Sequence, residues 1–325
     1  MSSFCVSRYV SCYVHAKSNV SAPQDVLTSM IPQPRAGSAR VAPARAVKRR
    51  ANGSARTSAN RSPVIVHADD FGETSEITQG ICLGIEAGVL TSTSIMANMP
   101  GTEEGLQRVA VLAARASFGV HLNFCEGRPL TSARSLTDPE GRFHSKRVLF
   151  LKSITGQLAL PEVEAEVAAQ IGRVRDHGVR ISHVDGHKHL HQLPVMSTAV
   201  ANVLPRFSIR RVRITRLGRL TRARGPALLV RELLAMKASR KFRRCGLRSP
   251  VRILDLRSFI SMQAPGSCVD PNGPVELCCH PGTSEADAHK PGSHVRSAEL
   301  DYLLSARFRE LLDVNGARMV SYWDV

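Results

Sequence analysis

Three short segments carry side chains that can bind a metal ion and move a proton: HADDFG at 67–72, GVHLNF at 119–124 and HVDGHKHLH at 183–191. Each sets carboxylates or imidazoles beside apolar, β-prone residues, about where a strand would end. Together they supply the Asp and His ligands of a hydrolytic metal centre, with a carboxylate left over for proton transfer.

Asp69 and Asp70 are adjacent, and neighbouring side chains on a strand point to opposite faces. Both enter one site only if the strand ends there, and Phe71-Gly72 permits that turn. One carboxylate would then bind the metal while the other stays close, its acidity set by the cation and by burial. The plainer alternative is a solvated turn with a helix-capping acid. His121, between Gly119-Val120 and Leu122, reads on its own as readily as a hydrogen-bonded core or surface residue.

In Asp185-Gly186-His187-Lys188-His189-Leu190-His191, period-two alternation puts Asp185, His187, His189 and His191 on one face if the segment is extended. Three imidazoles and a carboxylate on one face repel when protonated and lose hydration when buried. A metal offsets that loss, and the carboxylate can orient an imidazole. A surface loop with incidental metal affinity is the competing reading. Cys279-His280-Pro281-Gly282 follows a strand-like Val275–Cys278 and fixes one histidine at another strand end. That suits a general acid, whose pKa must sit near the working pH, although a plain turn histidine has the same local sequence.

The elements that must position these residues alternate. Val64-Ile65-Val66 predicts a buried strand running into the acidic pair. A helix follows from about Ser75, its N-cap, with Ile77, Ile81 and Ile85 on one stripe and Gly88 as the stop. Strands are expected at 91–99, into His121, at 181–184, 211–215 and 275–279. Helices are expected at 103–114, 161–177, 195–204, 227–243 and 298–312, the second with Val163, Val167, Ile171 and Val174 on one face. Such alternation argues for an α/β fold with a parallel sheet and its site at the carboxyl ends of the strands.

The 325 residues suffice for one large domain or two small ones. Apolar and charged fractions of 43% and 22% are those of an ordinary globular chain. The net charge of +17 is uneven: residues 1–62 hold ten Lys/Arg against a single acid, Asp25. This Ser-, Ala- and Arg-rich segment reads as a disordered extension or an organelle transit peptide, and as a poor secretory signal because Arg8 interrupts its apolar start. The domain of interest is then 63–325. Eight cysteines show no C-x-x-C pair, which argues against a disulfide framework or a Cys-based metal site and for free thiols in a reducing compartment. Cytoplasm is the default location, an organelle the alternative. No run approaches the ~20 apolar residues of a membrane span. The run Arg240-Lys241-Phe242-Arg243-Arg244 invites a nucleic-acid or membrane reading, but cations at a helix C-terminus are favourable for electrostatic reasons alone.

ADDFG, GVHLN, HVDGHKHLH and CHPG occur here in the order found in YdjC-like carbohydrate deacetylases, which include chitooligosaccharide deacetylases and hopanoid-cluster relatives. The resemblance covers roughly 63–325, including TSTSIMAN and the closing RMVSYWDV. It implies a distorted (β/α) barrel of the polysaccharide-deacetylase type. It also implies one divalent metal, Mg or Zn, with Mn, Co or Ni open, and removal of acetyl from an N-acetylated amino sugar. Carried onto this sequence, Asp70 and His121 match metal ligands, with His187 as the third and His189 as the alternative. Asp69 matches the general base and His280 the general acid. Asp185 and His191 would support the ligands or face substrate. The chain departs from the family between Ser258 and Val275, where SFISMQAPGSCVDPNGP replaces a recognisable helix and bears on substrate range.

No nucleic-acid partner is expected; a homodimer is compatible with the sequence. Two enzymatic alternatives are a metal-dependent phosphoesterase, which lacks support from a P-loop or a dense Arg cluster beside the metal segments, and a glycosidase, which needs two carboxylates set across a sugar. A rival of another class is a basic RNA- or membrane-binding protein with a vestigial metal site, but no interleaved aromatic-basic motif is present.

Overall fold

A computed structural model describes residues 61–215, 226–261, 270, 272–283 and 293–325. The expectation for 1–62 therefore lies outside the described residues, apart from Arg61 and Ser62.

Seven parallel strands form one sheet: β1 (Ser62–Phe71), β2 (Ser92–Ile95), β3 (Ser117–Leu122), β4 (Ile181–Gly186), β5 (Arg252–Asp255), β6 (Val275–Cys279) and β7 (Ala317–Val320). The order is β4-β3-β2-β1-β6-β5. β6 runs along one edge of β1, while β7 pairs the start of the other edge and β2 its end. β1 is buried from Val64 to Phe71, as a central strand covered on both faces must be. No ladder joins β4 to β5 among the described residues. Only isolated bridges, Val184 to Val212 and Arg211 to Arg248, span that gap. The α/β class with a parallel sheet holds; among the described residues continuous strand pairing does not close it into a barrel.

Nine helices lie among the described residues: α1 (Ser75–Glu86), α2 (Thr102–Leu112), α3 (Lys146–Ile154), α4 (Leu160–Asp176), α5 (Pro194–Val203), α6 (Pro226–Arg244), α7 (Leu256–Ser261), α8 (Ser293–Leu304) and α9 (Ala306–Val314). The apolar stripes of α1 and α4 are buried as their periodicity requires. Thr74, not Ser75, caps α1: its hydroxyl accepts from the Ile77 N–H at 3.3 Å. Ser75 instead bonds Glu104 at 2.5 Å. On α4, buried Glu166 accepts from the amides of Leu130 and Thr131, and Gln170 brackets Asn123, so this helix ties down the chain leaving β3.

Other expectations need correction. Residues 211–215 make single bridges rather than a strand, because Val212 pairs Val184 while Arg211 pairs Arg248 and no two consecutive residues share one partner strand. The helix expected at 298–312 breaks at Ser305, whose extended backbone precedes α9. α3, β5, α7 and β7 are short or weakly patterned and went unforeseen. Part of the atypical 258–275 segment, residues 262–269 and 271, lies outside the described residues. The Arg240–Arg244 run closes α6 with Phe242 buried and Lys241 Nζ on the Pro194 carbonyl at 3.3 Å, so part of it anchors the helix. No described helix is long and apolar enough to cross a membrane.

Candidate metal centre

At the end of β1 the pairing register slips between Ala68 and Phe71, and Asp70 takes a left-handed backbone with φ of 72°. A non-glycine residue pays roughly 1–2 kcal/mol for that conformation. The kink defeats strand alternation, so both Asp69 and Asp70 sit buried at the same end of the sheet.

His121 ends β3, and His187 follows β4. Asp70 Oδ1 lies 2.9 Å from His187 Nδ1 and 3.3 Å from His121 Nε2. The donor atoms of these three residues all fall within 4.8 Å of one another, a spacing able to hold a metal ion. The other Asp70 oxygen accepts from Arg296 Nη2 at 2.6 Å. Asp185 Oδ1 stands 2.8 Å from His121 Nδ1, so that nitrogen keeps the proton when the ring is neutral, and Nε2 is the one that can then offer a lone pair. This Nε2 is buried and makes no hydrogen bond.

The expectation of an extended 185–191 face is overturned. Lys188 and His189 both adopt left-handed backbones, φ 52° and 60°, within a short 3-10 segment. The turn brings His187 to Asp70 and carries the next two imidazoles elsewhere. His189 is outside the Asp70 group, and burial holds it well below the ordinary histidine range. His191 is buried with Nε2 donating to the Arg213 carbonyl at 2.9 Å, and burial lowers it to about 4, so it stays neutral and braces the backbone.

Asp69 meets Arg213, a fully buried residue. The guanidinium reaches Asp69 Oδ2 at 2.9 Å and Oδ1 at 2.7 Å, Asp185 at 2.8 Å and Glu276 at 2.7 Å. Burial, the largest single influence, pushes the Asp69 carboxyl up, but Arg213 with His121, His67 and His280 together hold the group well below the usual carboxylate range; Asp185 behaves alike, with Arg213, His121 and His67 beside it. Asp69 is therefore ionised at neutral pH. Burial works to lower His121, yet Asp185 and Asp69 hold it well above its ordinary value. Three carboxylates share one guanidinium, and this surplus negative charge favours a cation. His280, side chain 42% exposed, stands with Nε2 3.7 Å from Asp69 Oδ2. Its N–H donates to Glu299 Oε2 at 2.6 Å, which fixes the turn after β6.

Sequence reasoning missed Arg213, Arg296, His67 and Tyr322. His67 lies beneath the centre, 2.9 Å from Ser92 Oγ, 3.1 Å from Ser94 Oγ and 3.3 Å from Asp69. Tyr322 donates to Glu276 at 2.5 Å and stacks on His183 at 3.6 Å between centroids. The available signal for Arg213 was a charge between the apolar Val212 and Ile214. Arg296, in a polar helix, gave none.

Comparison with known proteins follows the same outline. Carbohydrate deacetylases of Mus musculus and Homo sapiens are 38% and 37% identical over 161 residues, covering 47% of this chain and 51% and 49% of theirs. That of Geobacillus stearothermophilus is 34% identical over 158 residues, 48% of this chain and 62% of its own. The chain thus spans about half the length of the curated relatives it matches first. A crystal structure from Enterococcus faecalis V583, described as a candidate cellobiose-phosphate cleavage protein, shares the fold: TM-score 0.63, 21% identity, 81% of this chain and 98% of that one. The YdjC-like protein family matches residues 63–314, and the chain belongs to that family.

Proposed function

We propose that residues 63–325 form a metal-dependent hydrolase that removes the acetyl group from an N-acetylated amino sugar, on a distorted barrel whose seam runs through the bridges at Val212 and Arg211. The observation that carries this reading is the convergence of Asp70, His121 and His187, with the buried, unpartnered His121 Nε2 facing Asp70. Those three residues would hold one divalent ion. Two imidazoles and a carboxylate suit zinc, with magnesium the hard-cation alternative. When bound, the ion would polarise the amide carbonyl and make water more acidic.

The chain's own groups would do the rest. Asp69, ionised and clamped by Arg213, would accept the proton of the attacking water at a carboxylate oxygen. His280, whose Nε2 stands 3.7 Å from Asp69 Oδ2 and whose side chain is open to solvent, would protonate the departing amine, which otherwise leaves badly. Asp185 would keep His121 in the tautomer that exposes Nε2. The carbohydrate-deacetylase relatives support the substrate class.

The test is acetate release from N-acetylglucosamine oligomers and related N-acetyl sugars, with protein stripped of metal and then restored with zinc or magnesium. Metal-dependent release is expected. Asp69→Asn should keep the metal and lose about 10²–10⁴-fold in turnover. Folded, metal-loaded protein that releases no acetate across the panel overturns the assignment.

A further inference from the structure

We infer that Asp69, Cys278 and His280 form a second, weaker cation site that takes a zinc-class ion and, when filled, silences the deacetylase. The inhibitory half rests on the function proposed above; the site itself does not.

One carboxylate oxygen, one thiol sulfur and one imidazole nitrogen of these residues lie within 4.8 Å of one another. Parallel pairing of β1 with β6 produces this arrangement: His67 sits opposite Cys278 and Ala68 opposite Cys279, where the ladder ends, so that Asp69 and His280 come next along the two chains. Donors about 2.0–2.3 Å from a tetrahedral zinc stand roughly 3.3–3.7 Å apart. The His280 Nε2 to Asp69 Oδ2 distance of 3.7 Å already meets that spacing. The half-exposed His280 side chain gives an ion a path in from solvent and freedom to close on it.

Other donor groups fail on independence or access. The group of Cys125, Glu126 and His187 uses His187, which the Asp70 centre already claims. The group of Asp69, His121 and Asp185 likewise uses His121. His67, His183 and Asp185 are fully buried, with no opening for a hydrated ion. Asp69, Cys278 and His280 share no residue with the Asp70 centre.

The donor set selects the ion. Thiolate and imidazole favour zinc, cobalt or nickel over magnesium. Binding ejects the thiol proton to solvent and must compete with Arg213 for Asp69, so this site fills after the first. An ion held there takes the lone pairs of Asp69 and His280 and leaves neither free to move a proton.

The experiment titrates metal-stripped full chain with zinc by equilibrium dialysis, comparing wild type, Cys278→Ala, Cys278→Ser and Cys125→Ala, each checked by thermal melting. Cobalt supplies a second readout, because thiolate ligation gives a sulfur-to-metal charge-transfer band. Cys278→Ala should bind one equivalent fewer than wild type and lack that band at the second equivalent, while Cys125→Ala matches wild type. Acetate release should fall about 10²-fold as wild type takes its second zinc, stay constant in Cys278→Ala, and ignore excess magnesium. Equal stoichiometry and an equal band in wild type and folded Cys278 variants overturn the site. Loss of the second equivalent in Cys125→Ala instead does the same. An active enzyme that fills the second site without slowing overturns the inhibition. Silence at every metal loading, with the stoichiometric difference intact, counts against the deacetylase reading and leaves the second site standing.

Discussion

Arg213 grips Asp69 by both oxygens, at 2.7 and 2.9 Å, from inside the sheet. The same guanidinium reaches Asp185, which orients His121, and Glu276, which accepts from Tyr322. One buried cation therefore sets the direction of the carboxylate placed to take a proton and of the carboxylate behind an imidazole ligand. Misplacing it disturbs both roles together.

Arg213→Lys should fold, because a positive charge remains among the carboxylates, yet a lysine cannot reproduce the planar fork. Turnover in the acetate-release assay should drop about 10–100-fold and metal affinity should weaken with it, since small displacements of a reacting group or of a ligand's partner are enough. Arg213→Met should fail to fold, because it strands buried charges. Full activity in a folded Arg213→Lys protein would show that the fork does not orient Asp69.

Asp185→Asn tests the link from carboxylate to imidazole. An amide can offer its N–H to His121 Nδ1 and trap the tautomer that blocks Nε2. Metal affinity, measured by chelator competition, should weaken about 10–100-fold. Asp69→Asn removes a charge near His121 but no hydrogen bond that sets its tautomer, and should leave metal affinity closer to wild type. Equal affinities in the two variants would count against the tautomer argument.

The strands ending in Asp69-Asp70, His121 and His280 were legible because short β-prone runs abut polar residues, and the stripes of α1 and α4 fixed their buried faces. The geometry inside HVDGHKHLH was not. Its alternation satisfies an extended face, while the left-handed turn at Lys188-His189 depends on tertiary packing that no pattern of residue types announces. Arg213 escaped for a related reason: a charge in an apolar run reads as solvent-facing until the three carboxylates it meets are folded around it. Cys278 was dismissed on spacing along the chain, whereas its neighbours Asp69 and His280 come from two strands paired in space.

The metal-free protein should lose stability on both sides of about pH 6.5, judged against unfolded carboxylates near 3.9 and imidazoles near 6.5, with the neutral His189 and His191 adding to the acid limb. Asp69 and Asp185 are depressed in the fold despite burial, chiefly by Arg213. Their contribution is present above the unfolded value and lost as pH falls through the folded one. His121 and His187 are raised despite burial, by Asp185 and Asp69 for the first and by Asp70 for the second. Their contribution is complete below about 6.5 and is lost as pH rises through the folded values. Metal binds the neutral imidazoles, so loading should flatten the alkaline limb in urea melts taken across pH. A stripped protein with no alkaline limb would contradict the imidazole shifts.

Gly80 lies on α1 where the helix crosses the turn that carries His280. A Cβ placed there would stand 2.5 Å from the Gly282 Cα and 2.8 Å from its carbonyl carbon. Both are backbone atoms, so no side chain can swing aside. The Gly282 N–H also donates to the Arg296 carbonyl at 3.3 Å, which couples the turn to α8. Gly80→Ala must therefore displace the His280 turn or the helix, and overpacking of this kind destabilises by about 1–3 kcal/mol. Alanine favours an ordinary helical position, so a gain in stability would be expected if the contact were loose. The expected result is a lower melting temperature together with slower acetate release. Occupancy of the Asp70 centre should be unchanged, because Asp70, His121 and His187 lie on other segments. A more stable, fully active Gly80→Ala protein would show that the close approach of α1 does not hold His280 in place.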